Sequence, residues 1–532
     1  MSKLNQRGKN VTTNIRAVAA KRGEQLGYSA NGNLQFKKEP LQMLYELTVS
    51  TLFGKGTYYK SGDQLVQEMR KHVKTAVQMD ALDFVANLAI HARTEMNIRT
   101  IPVVLVVEFA KALRESGKSY DNMRKLVGDV IQRADQITDL YAYALEVFGD
   151  KGKVPMAIKR GVGDAFNKFQ EYHFAKYNRD GAVKFRDVLR IVHPEAATVE
   201  QGFVFEKIMK ETLETPYTWE TELSTNGQKP VAERKTPKQL WTELVQSGKV
   251  GYMALLRNLR NIHQAGLDGD VIKEHVASVI SDPKRVAKSK QLPFDFVEAY
   301  SIVKDLDTKM STAVSKAIDL SVGNIPQLGN KVWLIVDYSG SMGHDPMERG
   351  GNTYSTSTQS AISTATLLAA ALIKANGDAD NLAVTIFGSS AKTLKGVDAN
   401  NSVLGIKKEL LSHRHGAIAG STNFHAALQE KSRLGFEPDT IVVLSDGEVN
   451  GFPYSAIKQV AGKSVIKLAV NLSASTTTPL SKQDGWFAVA GWAPAMFKWV
   501  PAIREKASTV DQLSGPYVGV PVKRPAAETT EE

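Results

Sequence analysis

Cysteine is absent from all 532 residues. That excludes a disulfide framework, thiolate-bound zinc, an iron–sulfur cluster and a cysteine nucleophile. Long apolar runs are missing as well. The longest, Ile101-Pro-Val-Val-Leu-Val-Val107, stops at Glu108, far short of the roughly 20 residues a helical span needs. The opening stretch MSKLNQRGKNVTTNIRAVAAKRGEQ is polar and basic and lacks the apolar segment of a secretory signal. The expectation is a soluble, cytoplasmic protein that engages no membrane. Apolar residues at 42% and charged residues at 23% exclude a disordered chain, and the length suits two to four domains.

Acidic residues are the scarcer charge, 56 against 67 Lys and Arg, for a net charge of +11. Split at residue 330, the first part holds 48 basic and 38 acidic residues, and the second holds 19 and 18. Within 151–194, ten Lys or Arg face four Asp or Glu. Such a concentration suits a polyanion surface, because neutralised phosphates release condensed counterions. It equally suits a solvated helix face that keeps the protein dissolved. Charge alone leaves both readings open.

From about 38 to 320 the sequence reads as helix after helix. In 80–92, Leu82, Val85, Ala86, Ala89 and Ile90 fall on one helical face. Similar patterns occupy 41–52, 123–148, 240–262 and 295–306, separated by Gly, Pro and Asn. The arrangement suits a helical-repeat array, without an exact repeated motif. The polar stretch 224–237 is expected to be an exposed loop. A breaker-rich junction at 321–330 changes the pattern. Beyond it, short apolar runs at 332–336, 382–387, 440–444, 465–472 and 486–490 alternate with helical 359–374 and 424–431. Buried strands alternating with helices predict a doubly wound, mostly parallel α/β domain, with its ligand site at the carboxyl ends of the strands. The expected organisation is a polar arm (1–37), a helical-repeat domain (38–325), the α/β domain (330–514) and a flexible tail (515–532).

Directly after the run Val332-Trp-Leu-Ile-Val336 comes Asp337-Tyr-Ser-Gly-Ser341. One tight turn thus offers Asp337, Ser339 and Ser341 at the ligand rim. Gly420-Ser-Thr-Asn423 adds Thr422, and Leu444-Ser-Asp-Gly-Glu448 adds Asp446. Two carboxylates with three hydroxyls suit a hard divalent cation that keeps waters or accepts a partner's carboxylate. These five positions resemble the metal-ion-dependent adhesion site of von Willebrand factor A domains. The resemblance implies Mg2+ or another divalent cation; the alternative is a domain that keeps the fold without the metal.

Other segments resemble the TROVE module of Ro autoantigen proteins: Phe53-Gly-Lys-Gly-Thr-Tyr-Tyr59, Asp63-Gln-Leu-Val66, the segment from His91 to Pro102, Ala157-Ile-Lys-Arg-Gly161, Ala175-Lys-Tyr-Asn-Arg179, Lys184 to Arg190 with His193-Pro194, and Met253 to Leu259. They run in order across about 40–310, and a bacterial or phage Ro orthologue is the nearest likeness. The resemblance implies a mainly α protein: a ring of HEAT-like helical repeats followed by an α/β doubly wound von Willebrand factor A domain. It implies Y-like non-coding RNA on an outer basic face, carried by Lys159, Arg160, Lys184, Arg186, Arg190 and His193. Arg93 and Arg99 would line a central hole that takes single-stranded 3′ ends of misfolded or decaying RNA, although a structural ion pair suits them as well. The same likeness implies a non-catalytic monomer and an exoribonuclease partner such as polynucleotide phosphorylase.

Physically, Lys and Arg would grip phosphates and set register. From the residues alone His193 reads as a structural histidine before Pro194; the resemblance favours stacking on a base or donating to phosphate. Phe166, Phe169, Tyr172, Phe174, Tyr177 and Phe185 offer stacking platforms, but their helical spacing favours core packing. Gly117-Lys-Ser119 and Gly462-Lys-Ser464 lack the earlier glycine of a phosphate loop. His413 and His415 are spaced wrongly for one helical face. No acid–base pair suggests catalysis. Two rivals remain: an adhesion or scaffold protein that grips an acidic partner through Mg2+, and a ribonuclease.

Overall fold

A computed structural model describes residues 15–29, 32–50, 62–149, 153–178, 181, 183–266, 270–325, 328–345, 360–376, 381–449, 457, 460, 465–472, 477–490 and 509–520. The segments 53–59 and 462–464, Arg179 and the end of the expected tail lie outside them. Two compact units emerge: Pro40–Lys55, Gly62–Pro216 and Val510–Glu532 form one, and Met1–Glu39, Gly56–Ser61 and Tyr217–Thr509 the other.

The first unit is helical. In order it contains α1 (Pro40–Ser50), α2 (Gly62–Gln78), α3 (Leu82–Thr94), α4 (Ile101–Glu115), α5 (Met123–Val130), α6 (Asp135–Phe148), α7 (Met156–Phe166), α8 (Glu171–Tyr177), α9 (Phe185–Val192) and α10 (Val199–Lys210). The apolar run 101–107 is buried throughout in α4. Among the described residues no helix is long and apolar enough to cross a membrane. The expected single pattern over 123–148 breaks into α5 and α6. Ile131 turns extended, Gln132 N–H donates to the Gln136 side chain, and Lys168 Nζ ties down the freed carbonyls of Gly128 and Ile131. Gly117, at a φ of +63°, ends α4 rather than cradling a phosphate. The last segment of this unit, including α22 (Thr509–Leu513), is held by Asn87 Nδ2, which donates to Leu513 O and Gly515 O. Tyr517 also donates to buried Asp129 at 2.7 Å.

The second unit begins with a helical stretch over 15–22 and the hairpin β1 (Leu26–Tyr28) and β2 (Leu34–Lys37). Its helices are α11 (Trp219–Gln228), α12 (Pro237–Gln246), α13 (Tyr252–Arg257), α14 (Leu259–Gln264), α15 (Asp270–Ile280), α16 (Pro283–Ser289), α17 (Pro293–Val303) and α18 (Thr308–Ser321). The loop expected over 224–237 is therefore corrected: α11 runs to Gln228, and a short 3-10 turn covers Val231–Glu233. Thr218 caps α11 by accepting from Thr221 N–H, and Trp219 stacks on Trp241. The segment is nonetheless exposed, as expected.

After α18 come β3 (Val332–Asp337), α19 (Ala361–Asn376), β4 (Leu382–Phe387), β5 (Ala391–Leu394), α20 (Val403–Ser412), α21 (Phe424–Gln429), β6 (Thr440–Ser445), β7 (Ile466–Asn471), β8 (Thr477–Thr478) and β9 (Trp486–Ala490). The main sheet has order β5-β4-β3-β6-β7-β9. It is parallel except for the β4–β5 pair. Every residue of β3 and β6 is buried, as the core strands of a two-sided sheet require. Trp333, Ile335, Phe387, Phe424, Ile441, Val443 and Trp486 form one continuous apolar core. A second, antiparallel sheet has order β1-β2-β8. The expected polar arm thus supplies two of its strands.

Candidate functional site

The neighbouring central strands β3 and β6 deliver Asp337 and Asp446 to the same rim. Asp337 ends β3 fully buried, and Asp446 follows β6 with 1% exposure. The Asp337 carboxylate turns the chain after it: Ser339 N–H donates to Oδ1 at 2.9 Å, and Ser445 Oγ donates to Oδ2 at 2.7 Å. Ser339 and Ser341 hydroxyls lie 3.1 Å apart. Glu448 N–H folds back on Asp446 Oδ1 at 3.0 Å. Thr422 is buried on a loop fixed to the turn by Gly340 N–H, which donates to Gly420 O at 2.9 Å. All five expected oxygen donors therefore sit around one rim of one unit.

Burial, and then the charge of Asp446, push the Asp337 carboxyl upward from the usual aspartate range. Two acids held out of water beside one another are costly without a compensating charge. Among the described residues no three His, Cys, Asp or Glu side chains gather as a metal site. The cradle is instead two carboxylates with hydroxyls, a donor set that fits a hard cation retaining waters. Arg414 belongs to none of the sequence motifs. It clamps the same turn through its backbone: Nε donates to Tyr338 O at 3.2 Å and a terminal nitrogen donates to Ser339 O at 3.1 Å.

The expected RNA residues lie in the helical unit. Arg160, Arg190 and His193 are exposed, while Lys159, Lys184 and Arg186 are half-buried. Helices α7 and α9 adjoin, since a side chain at Gly163 would meet Pro194 at 3.5 Å and Val192 at 3.9 Å. His193 takes a left-handed conformation, φ +44°, as the C-cap of α9, which sends the chain into Pro194. Arg186 pairs with Glu211 at 2.6 Å, and Lys184 caps α9 through Asp187, whose side chain accepts from Lys184 N–H. The Arg186 side chain is engaged within the fold, whereas Arg160, Arg190 and His193 make the more open face, with half-buried Lys159 next to Arg160.

Arg93 is buried, with Nε donating to Gln136 Oε1 at 3.3 Å. Burial, then the charges of Arg99 and Arg133, lower its proton affinity. Arg99 is exposed, and its carbonyl accepts from Gln136 Nε2 at 2.9 Å. Phe166, Phe169, Phe174 and Phe185 are core residues, packed mutually at 5.2–6.5 Å between ring centres. Tyr172 departs from that packing at 49% exposure. The Arg133 guanidinium lies 4.8 Å from the centre of the half-buried Tyr177 ring.

A family model described as the TROVE domain matches residues 207–332. The basic residues of α7 and α9, with Arg93 and Arg99, lie ahead of that stretch. Over 103 residues the chain is 34% identical to "Telomerase protein component 1" of Mus musculus and 33% identical to that of Rattus norvegicus. Those stretches are 19% of this chain and only 4% of each relative. The fold resembles "Crystal structure of Deinococcus radiodurans RO (RSR) protein", with a TM-score of 0.62 and 18% identity over 88% of this chain and 100% of that one. Together these findings show a TROVE-like segment over 207–332 and a fold similar to that of the Deinococcus radiodurans protein.

Proposed function

We propose that this chain is a non-catalytic RNA-binding protein acting in RNA quality control. The observation that carries the reading is the TROVE match within a Ro fold, joined to the basic excess of the first 330 residues. Open cations on α7 and α9 grip phosphates of a Y-like non-coding RNA, and single-stranded 3′ ends of misfolded or decaying RNA form the second ligand class. The Y-like RNA tethers an exoribonuclease such as polynucleotide phosphorylase, and the protein works as a cytoplasmic monomer. Asp337, Ser339, Ser341, Thr422 and Asp446 hold Mg2+ or another divalent cation, whose remaining position takes water or a partner's carboxylate.

The buried cradle also favours a second reading, Mg2+-dependent adhesion to an acidic protein. Filter binding of the purified chain to structured and single-stranded RNA at low ionic strength tests the first reading. Submicromolar binding is expected, and sequencing of copurifying RNA should return small structured transcripts. Absence of affinity for any transcript would overturn it.

A further inference from the structure

We infer that Gln35, on β2, is a positioning residue for the cation cradle; this rests on the cation reading above. Gln35 is 412 residues from Gly447 in sequence, yet its Nε2 donates to Gly447 O at 3.2 Å and lies 3.5 Å from Val449 O. Its own orientation is fixed, because Thr477 Oγ1 donates to Gln35 Oε1 at 3.0 Å. The amide is 1% exposed, so no water competes for either end. Its two contacts flank Glu448, and the first is on the residue next to Asp446.

That turn requires an outside hold. Gly447 adopts a φ of +80°, a conformation glycine enters easily and leaves as easily. A chain of bonds runs from it to the metal turn: Gly447 N–H donates to Ser445 Oγ at 3.0 Å, and Ser445 Oγ donates to Asp337 Oδ2 at 2.7 Å. Gln35 therefore acts at the open end of a relay that ends on the Asp337 carboxylate and brackets Asp446. Outer hydrogen-bond partners of this kind orient ligands and tune metal affinity. The β1-β2-β8 sheet carries the residue: Phe36 pairs with Thr478 and Lys37 with Thr477, which seats Gln35 against the strand that orients it.

Titration calorimetry of the full chain with MgCl2 or MnCl2 tests the assignment. Gln35→Leu should weaken cation affinity about tenfold at an unchanged far-ultraviolet spectrum. It should also speed amide exchange at 445–449 in cation-free protein. Arg22→Ala, which breaks the Arg22–Asp484 pair elsewhere in this region, should leave affinity unaltered. If Gln35→Leu does not fold, Thr477→Val serves, with a smaller loss of a few-fold expected from a freed amide. Wild-type affinity in the folded Gln35 variant overturns the inference while leaving the cation site standing. An equal loss in Arg22→Ala also overturns it, by showing that arm docking alone matters. No heat of binding in the wild type removes the cation reading, and this inference with it.

Discussion

At the scale of single residues, the cradle is defined by a conflict. Asp337 and Asp446 are both out of water and each raises the cost of charging the other. Neutral hydroxyls and backbone N–H groups soften that repulsion without cancelling it. Asp337→Asn keeps an acceptor for Ser339 N–H while deleting one charge. In chelator-treated protein it should raise the melting temperature by about 2–4 °C, corresponding to roughly 1 kcal/mol for a domain of this size. Adding Mg2+ should then give no further rise, whereas it should stabilise the wild type by mass action. Differential scanning fluorimetry with and without Mg2+ reads both effects. A variant that keeps the full Mg2+-dependent rise would remove Asp337 from the ligand set.

At the scale of elements, close packing explains a segment that sequence resemblance could only match. A Cβ at Gly161 on α7 would stand 2.5 Å from Arg124 O and 2.6 Å from Val127 Cβ on α5. The obstruction includes backbone, so it cannot rotate aside. Gly163, two residues on, would meet Pro194 at an ordinary 3.5 Å. Gly161→Ala should therefore lower unfolding stability by about 1–3 kcal/mol, while Gly163→Ala is near neutral or slightly stabilising through helix propensity. Urea melts of the two variants check the contrast.

The same scale shows what the sequence made readable. Fully buried β3 and β6 were legible because a parallel core strand is a continuous apolar run ending in turn chemistry. The carboxylates at their ends were legible for the same reason. The β1–β2 hairpin was not, although Asn31-Gly32 between Leu26 and Phe36 carries a turn signal. Its strands are only three and four residues long, and β2 is held by pairing with distant β8. Gln35 and Arg414 have no local signature, because each acts through a backbone carbonyl that folding alone brings near. The breaks at 131–134 and at Gly248, which at a φ of +66° separates α12 from α13 within the expected pattern over 240–262, escaped periodicity because an apolar stripe continues across them.

At the scale of the whole molecule, the two proposed ligands differ in how they answer to ions. The excess charge lies almost wholly before residue 330, ten units against one after it, while the proposed cation site lies after it. RNA binding driven by counterion release should fall steeply with added salt and survive EDTA. An adhesion contact completed by a metal should do the reverse, dying in EDTA and tolerating salt. Replacing Lys159 and Arg160 together by Ala takes two cations from the α7 face. For a Y-like RNA this should cost at least about tenfold in affinity and reduce the log–log salt slope by up to about 1.8, two phosphate contacts at about 0.9 each. Filter binding across a salt series reads affinity and slope from the same data. An unchanged slope would take α7 out of the interface, even if binding weakened for another reason. Affinity that vanished in EDTA would instead place the ligand at the carboxyl rim of β3 and β6 and favour the adhesion reading.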